Sequence, residues 1–144
     1  MSLKMMEVVR IIIGNQSIYL IIIFLIGCTK EKLQTDTEVK EITYKKISAE
    51  EAKEIIDNSS DYILLDVREE NEFAEGHIEG AILIPYGEIS DRAEEELPDK
   101  EKTILVYCRS GRRSSIAAEQ LVELGYTNVQ DFGGIIDWTY EIVK

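Results

Sequence analysis

The chain has 144 residues, with 16 Lys and Arg against 28 Asp and Glu and a formal net charge of −12. That length suits one domain. The acid excess argues against binding nucleic acid or anionic membrane surfaces by bulk electrostatics.

Residues 1–27 stand apart from the rest. Lys4 and Arg10 give a positive start, and the run from Ile18 to Ile26 is continuously apolar. It is too short to span a bilayer, which takes about 20 residues, and it fits the apolar region of a secretory signal. The run ends at Leu25-Ile26-Gly27-Cys28, which resembles the lipobox of bacterial lipoproteins. The resemblance implies cleavage before Cys28 and acylation of that cysteine. Two other readings stay open: an uncleaved anchor from Val8 to Gly27, interrupted by Gly14-Asn15-Gln16-Ser17, or an incidental Cys28. The placement of the cysteine after an apolar run and before a polar segment favours lipidation. Residues 28–41 then form a lipidated cysteine and a polar tether. The tether from Thr29 to Glu41 reaches about 45 Å fully extended and about 20 Å as a coil. The expected location is the extracytoplasmic side of a bacterial cell membrane, held by the lipid.

From residue 42 to 144, short apolar runs alternate with helical patterns. Ile42 to Ile47 alternates like an edge strand, and Ser48-Ala49-Glu50-Glu51 reads as a capping box opening a helix that buries Ala52, Ile55 and Ile56. Tyr62 to Val67 reads as a central parallel strand, and Ala81 to Ile84 as another, ended by Pro85. A polar helix follows from Glu88 to Leu97, then a turn at Pro98-Asp99-Lys100. The strand Thr103 to Tyr107 leads into Cys108, and a helix spans 114–124 with Gly125 at its C′ position. A short strand at 128–131 and a helix from Ile135 to Val143 close the chain. The alternation predicts an α/β domain with a mostly parallel sheet.

The most telling segment is Cys108-Arg109-Ser110-Gly111-Arg112-Arg113-Ser114-Ser115. Its cysteine sits where a buried strand gives way to a helix start, whose free amides and dipole favour anions. Arginines at such a place are electrostatically misplaced unless something negative binds. Arg109, Ser110, Gly111, Arg112 and Arg113 therefore read as a cradle for a small anion, with Cys108 as the nucleophile. Lowering a thiol pKa by two units takes about 2.7 kcal/mol. A helix terminus contributes up to about 2 kcal/mol when partly buried, and loop amides can add the rest. Activation then needs no histidine base. Asp66 ends a second strand, so the two strand ends can share one site beyond the sheet.

Five blocks in order resemble the rhodanese-like domain family: Asp66-Val67-Arg68-Glu69 with Glu72-Phe73, Gly76-His77-Ile78-Glu79-Gly80-Ala81 with Ile84-Pro85, Tyr107 to Ser114, Gly133-Gly134-Ile135, and Trp138. The resemblance implies a five-stranded, mostly parallel sheet flanked by helices on both faces. It also implies a sulfurtransferase, in which Cys108 accepts a sulfane sulfur as a persulfide. A donor such as thiosulfate would supply it, and a thiophilic acceptor such as cyanide or a thiol would remove it. His77 is expected to support loops, because the block containing it is structural in the family. Asp66 is expected to hold the cysteine loop by accepting hydrogen bonds, and Arg68 to pair with a carboxylate such as Glu72 or to form a plain structural ion pair. Trp138 and Tyr140 are expected on a final helix packed against the core.

Two alternatives belong to other classes. One is a non-catalytic binding or sensing module, against which the intact nucleophile and basic cradle argue. The other is a phosphatase. Dual-specificity phosphatases of related fold carry a Cys-x5-Arg loop, whereas Cys108 to Arg113 is Cys-x4-Arg, one residue shorter. No metal or organic cofactor is expected, since one histidine and one usable thiol cannot make a metal site.

Overall fold

A computed structural model describes residues 43–144. Signal, lipidation and tether assignments, Cys28 included, lie outside the described residues. Within them the strands are β1 (Lys45–Lys46), β2 (Tyr62–Asp66), β3 (Ile82–Leu83), β4 (Thr103–Cys108) and β5 (Val129–Gly134). The helices are α1 (Ala49–Asn58), α2 (Glu70–Glu75), α3 (Ile89–Glu96) and α4 (Arg112–Glu123). All strand pairs are parallel, in the order β1-β5-β4-β2-β3. The α/β architecture with five parallel strands is the one the sequence implied.

Period-two alternation splits the apolar residues of β2 and β4 between two cores. Leu65, Val67, Ile104, Val106 and Cys108 face α3 and α4, where Ile89, Ala93, Ala117 and Leu121 are fully buried. Leu64, Leu105 and Tyr107 face the other way, toward Ala49 and Ala52 of α1 and toward Phe132 and Trp138. Helices therefore cover both faces, as a parallel sheet requires.

Local signals explain several boundaries. The Ser48 hydroxyl accepts from the Glu51 N–H at 3.1 Å, and the Glu51 carboxylate accepts from the Ser48 N–H at 2.8 Å, so the capping box forms. Gly125, at φ +92°, ends α4 in a Schellman motif: its N–H bonds the Val122 carbonyl, and the Tyr126 N–H bonds that of Leu121. The turn drives Tyr126 into the core, where its hydroxyl lies 2.8 and 2.7 Å from the Ala93 and Leu97 carbonyls. Those carbonyls lie in the last turn of α3 and at its C-cap, so one buried phenol ties α3 to the end of α4.

Three expectations need correction. The final helix over 135–143 does not form. A single 3-10 turn at Ile135–Asp137 gives way to extended chain, and Val143 pairs antiparallel with His77 through two 2.8 Å backbone bonds. Thr139, Ile142 and Val143 are β-branched and favour that extended course. A short helix that the pattern did not suggest, α2, follows Arg68; the Glu72 carboxylate caps it through the Glu69 N–H at 3.2 Å. The expected helix 114–124 starts two residues earlier, at Arg112, and the last strand runs to Gly134.

Replacing Tyr126 by Phe leaves the packing and removes a donor to the Ala93 and Leu97 carbonyls, of which that of Ala93 keeps the Leu97 N–H. Urea denaturation is expected to show a loss of about 1–2 kcal/mol with an unchanged m-value.

Candidate active site

β4 is buried along most of its length, and its alternation sets the Cys108 side chain on the α4 face of the sheet. Directly after it the chain must reverse into α4 within three residues. Gly111 makes this possible by adopting φ +98° as the N-cap residue. The turn brings the Gly111 N–H to 3.0 Å from the Cys108 sulfur. The loop from Cys108 to Ser114 thus curls over the sulfur, and the residue is only 1% exposed. Its thiol is free.

Burial on its own raises the pKa of this thiol. The N–H and hydroxyl of Ser114 and the N–H groups of Gly111 and Ser110 outweigh burial, and the net result is a thiol below its ordinary value. The Ser114 hydroxyl also lies 3.1 Å from the Gly111 carbonyl and 3.3 Å from that of Gly133, so it joins the loop to β5. Ser114 is fully buried in the first turn of α4, a supporting residue that the sequence pattern did not single out.

Gly134 is a second such residue. It pairs with Cys108 across the β4–β5 ladder, at a register shift. A Cβ there would overlap the Arg109 carbonyl oxygen and lie 2.7 Å from Ser110 Cα. Only a residue without a side chain lets the loop sit down on β5. The Gly-Gly pair at 133–134 carries that signal in the sequence, since paired glycines in a strand mark close backbone approach.

The arginines divide into two groups. Arg113 makes a two-pronged ion pair with Glu72, at 2.6 and 2.8 Å, and so fastens the end of the loop to α2. Its guanidinium is thus matched to a carboxylate and braces the loop, while its charge also interacts with Cys108. Arg68 does not meet Glu72. It donates to Asp66 through Nε at 3.0 Å and Nη2 at 2.7 Å, and to the Gly76 carbonyl at 2.8 Å. Asp66 likewise does not hold the cysteine loop. Its register partner is Tyr107, so its side chain shares the Tyr107 face of the sheet, opposite to that of Cys108. The Asp66–Arg68 pair is buried and fixes the chain after β2. Of the five arginines among the described residues, Arg68, Arg92 and Arg113 are ion-paired, whereas Arg109 and Arg112 are exposed and without a carboxylate partner. Both belong to the turn between Cys108 and α4. His77 faces elsewhere: its ring stacks on Phe73 at 3.7 Å, with Nδ1 3.0 Å from the Phe73 carbonyl.

Such a site can stabilise a thiolate, admit a small anion, and hold negative charge leaving the sulfur. No group of three or more His, Cys, Asp or Glu side chains among the described residues could hold a metal ion.

The Arg113 guanidinium holds the Glu72 carboxyl down at about 2, from an ordinary 4.5. A depressed carboxylate stabilises the fold above its unfolded pKa, and that contribution is lost as pH falls through the folded value. Between pH 4.5 and about 2, wild type is expected to lose about 1 kcal/mol relative to Glu72→Gln in urea denaturation, after allowing for partial exposure of the pair.

With this geometry in place, the likeness to known proteins is informative. A sequence model of the family described as the rhodanese-like domain matches residues 48–141. Thiosulfate sulfurtransferase PspE of Escherichia coli is 42% identical over 80 residues, spanning 56% of this chain and 77% of that protein. Putative sulfurtransferase YtwF of Bacillus subtilis is 39% identical over 97 residues, spanning 67% of this chain and 92% of that protein. A solved structure of a rhodanese with anions from E. coli superposes with a TM-score of 0.55 at 41% identity, covering 58% of this chain and 98% of that one. Sequence, fold and loop agree, and the chain belongs to the rhodanese-like domain family.

Proposed function

We propose that this protein is a sulfurtransferase that carries a sulfane sulfur on Cys108, with thiosulfate as a donor and cyanide or a thiol as acceptor. The observation that carries the reading is the Cys108 sulfur under the Gly111 amide at 3.0 Å, in a loop whose Arg109 and Arg112 have no carboxylate partner among the described residues. The relatives named as sulfurtransferases support it.

The chemistry follows from charge and geometry. The Cys108 thiolate attacks the outer sulfur of thiosulfate. A new S–S bond forms, the old one breaks, and sulfite leaves with the bonding pair. Arg109 and Arg112 draw the dianion in, while the loop amides from Ser110 to Ser114 hold the negative charge during the exchange. Cyanide or a thiolate then attacks the terminal sulfur, and the pair of the broken S–S bond returns to Cys108. No proton transfer is needed at either step, in keeping with a histidine engaged elsewhere. A phosphatase reading fits less well, because the loop is one residue short and the side chain of Arg113 is held by Glu72.

We also place the domain at the outer face of a bacterial cell membrane, held by acylated Cys28 and the tether to residue 41. The support is the apolar run from Ile18 and the sequence around Cys28.

Three measurements check this. Purified protein with thiosulfate and cyanide should yield thiocyanate and gain about 32 Da after donor treatment, and Cys108→Ser should abolish both. Arg109→Ala and Arg112→Ala should each raise the KM for thiosulfate about tenfold through loss of one charge-assisted contact. Cys28→Ser should move the expressed chain out of the lipid-modified, detergent-partitioning fraction; unchanged partitioning would remove the lipid anchor.

A further inference from the structure

Five large apolar side chains are exposed among the described residues, and four of them lie in the C-terminal segment: Ile136 at 63%, Ile142 at 49%, Tyr140 at 37% and Val143. A monomer gains nothing by displaying them together. They are not scattered. Ile136, Tyr140 and Ile142 line one groove together with Glu72 and Glu75 of α2. That groove encloses about 300 Å³, and an adjoining cleft of about 390 Å³ continues from Ile136 to Arg109 on the sulfur loop. The two share backbone contact as well, since the Ile136 N–H donates to the Arg109 carbonyl at 3.2 Å. Because the segment is extended and pinned to His77 at Val143, its apolar residues are held in place along the groove.

The charges narrow what can lie there. Glu72 is matched by Arg113, but Glu75 is exposed and has no basic partner among the described residues. The chain as a whole repels acidic partners. A complementary occupant presents an apolar side chain to the isoleucines and a lysine or arginine to Glu75. Small acceptors such as cyanide need none of this.

We infer that this groove docks a thiol-bearing protein acceptor, which presents its cysteine on a segment of apolar and basic residues. The inference rests on the sulfurtransferase reading. The acceptor's thiolate attacks the terminal sulfur of the Cys108 persulfide. The new S–S bond forms on the acceptor as the Cys108 S–S bond breaks, and the electron pair returns to Cys108. No outside oxidant or reductant is consumed.

The test uses the full chain, thiosulfate as donor, and three acceptors: cyanide, a five-residue peptide thiol with two leucines and two lysines around its cysteine, and the same peptide with glutamates for lysines. Wild type should use the lysine peptide with a kcat/KM about tenfold above that of the glutamate peptide. Glu75→Lys should remove or reverse that preference, and Ile136→Ser should lower both peptide values about tenfold, with thiocyanate formation from cyanide unchanged in both variants. Equal use of the two peptides, or variants that slow cyanide as much as peptide, overturns the docking surface. Sedimentation showing a dimer that Ile136→Ser dissociates would make a second copy the occupant and overturn it too. So would retention on phosphatidylcholine vesicles that drops in Ile136→Ser. A wild type that makes no thiocyanate removes the sulfurtransferase reading itself, which is a separate outcome.

Discussion

Taking an anion out of water costs several kcal/mol unless donors meet it inside the fold. Here the donors are the amides between Ser110 and Ser114, and the rest of the site exists to keep them on one sulfur. Alternation along β4 delivers Cys108 to the right face, Gly111 turns the chain back, and Gly134 lets the loop settle on the neighbouring strand. The Glu72–Arg113 pair then fastens the far end of the loop to α2. Each element is ordinary on its own. Together they hold a buried thiol below its ordinary pKa despite the burial that opposes it.

The distribution of arginine follows the same economy of charge. In a chain with such an acid excess, a basic side chain readily finds a carboxylate, and Arg68, Arg92 and Arg113 do. Arg109 and Arg112 stay unpartnered because the loop carries no acid and α4 begins with none in its first turn. Positive charge at a helix start is unfavourable by itself. Two unpartnered arginines in the turn after Cys108 leave positive charge there free to meet an anion.

Much of this was legible in the residues. Ser48 and Glu51 announced α1, Gly125 announced the end of α4, and Cys108 stood visibly at a strand end. The pairings were harder. Glu72 and Arg113 are 41 residues apart, and nothing local joins them. The position of Asp66 was in principle readable, because strand parity places it with Leu64 and away from the Cys108 face once the register with Tyr107 is known. Parallel register is set by tertiary packing rather than by a turn, so it was not available beforehand. The C-terminal segment misled for another reason. Its apolar residues fit a helical stripe, but Val143 bonds the His77 backbone, and that long-range bridge overrides local pattern.

The lone thiol of the described residues has a kinetic corollary. On the proposed sulfurtransferase reading, a loaded sulfur has no second cysteine among the described residues to resolve it into a disulfide, and it waits for an acceptor. An S–S bond would set the outer sulfur about 2 Å beyond the buried Cys108 sulfur. On that reading, turnover depends on how often such an acceptor arrives.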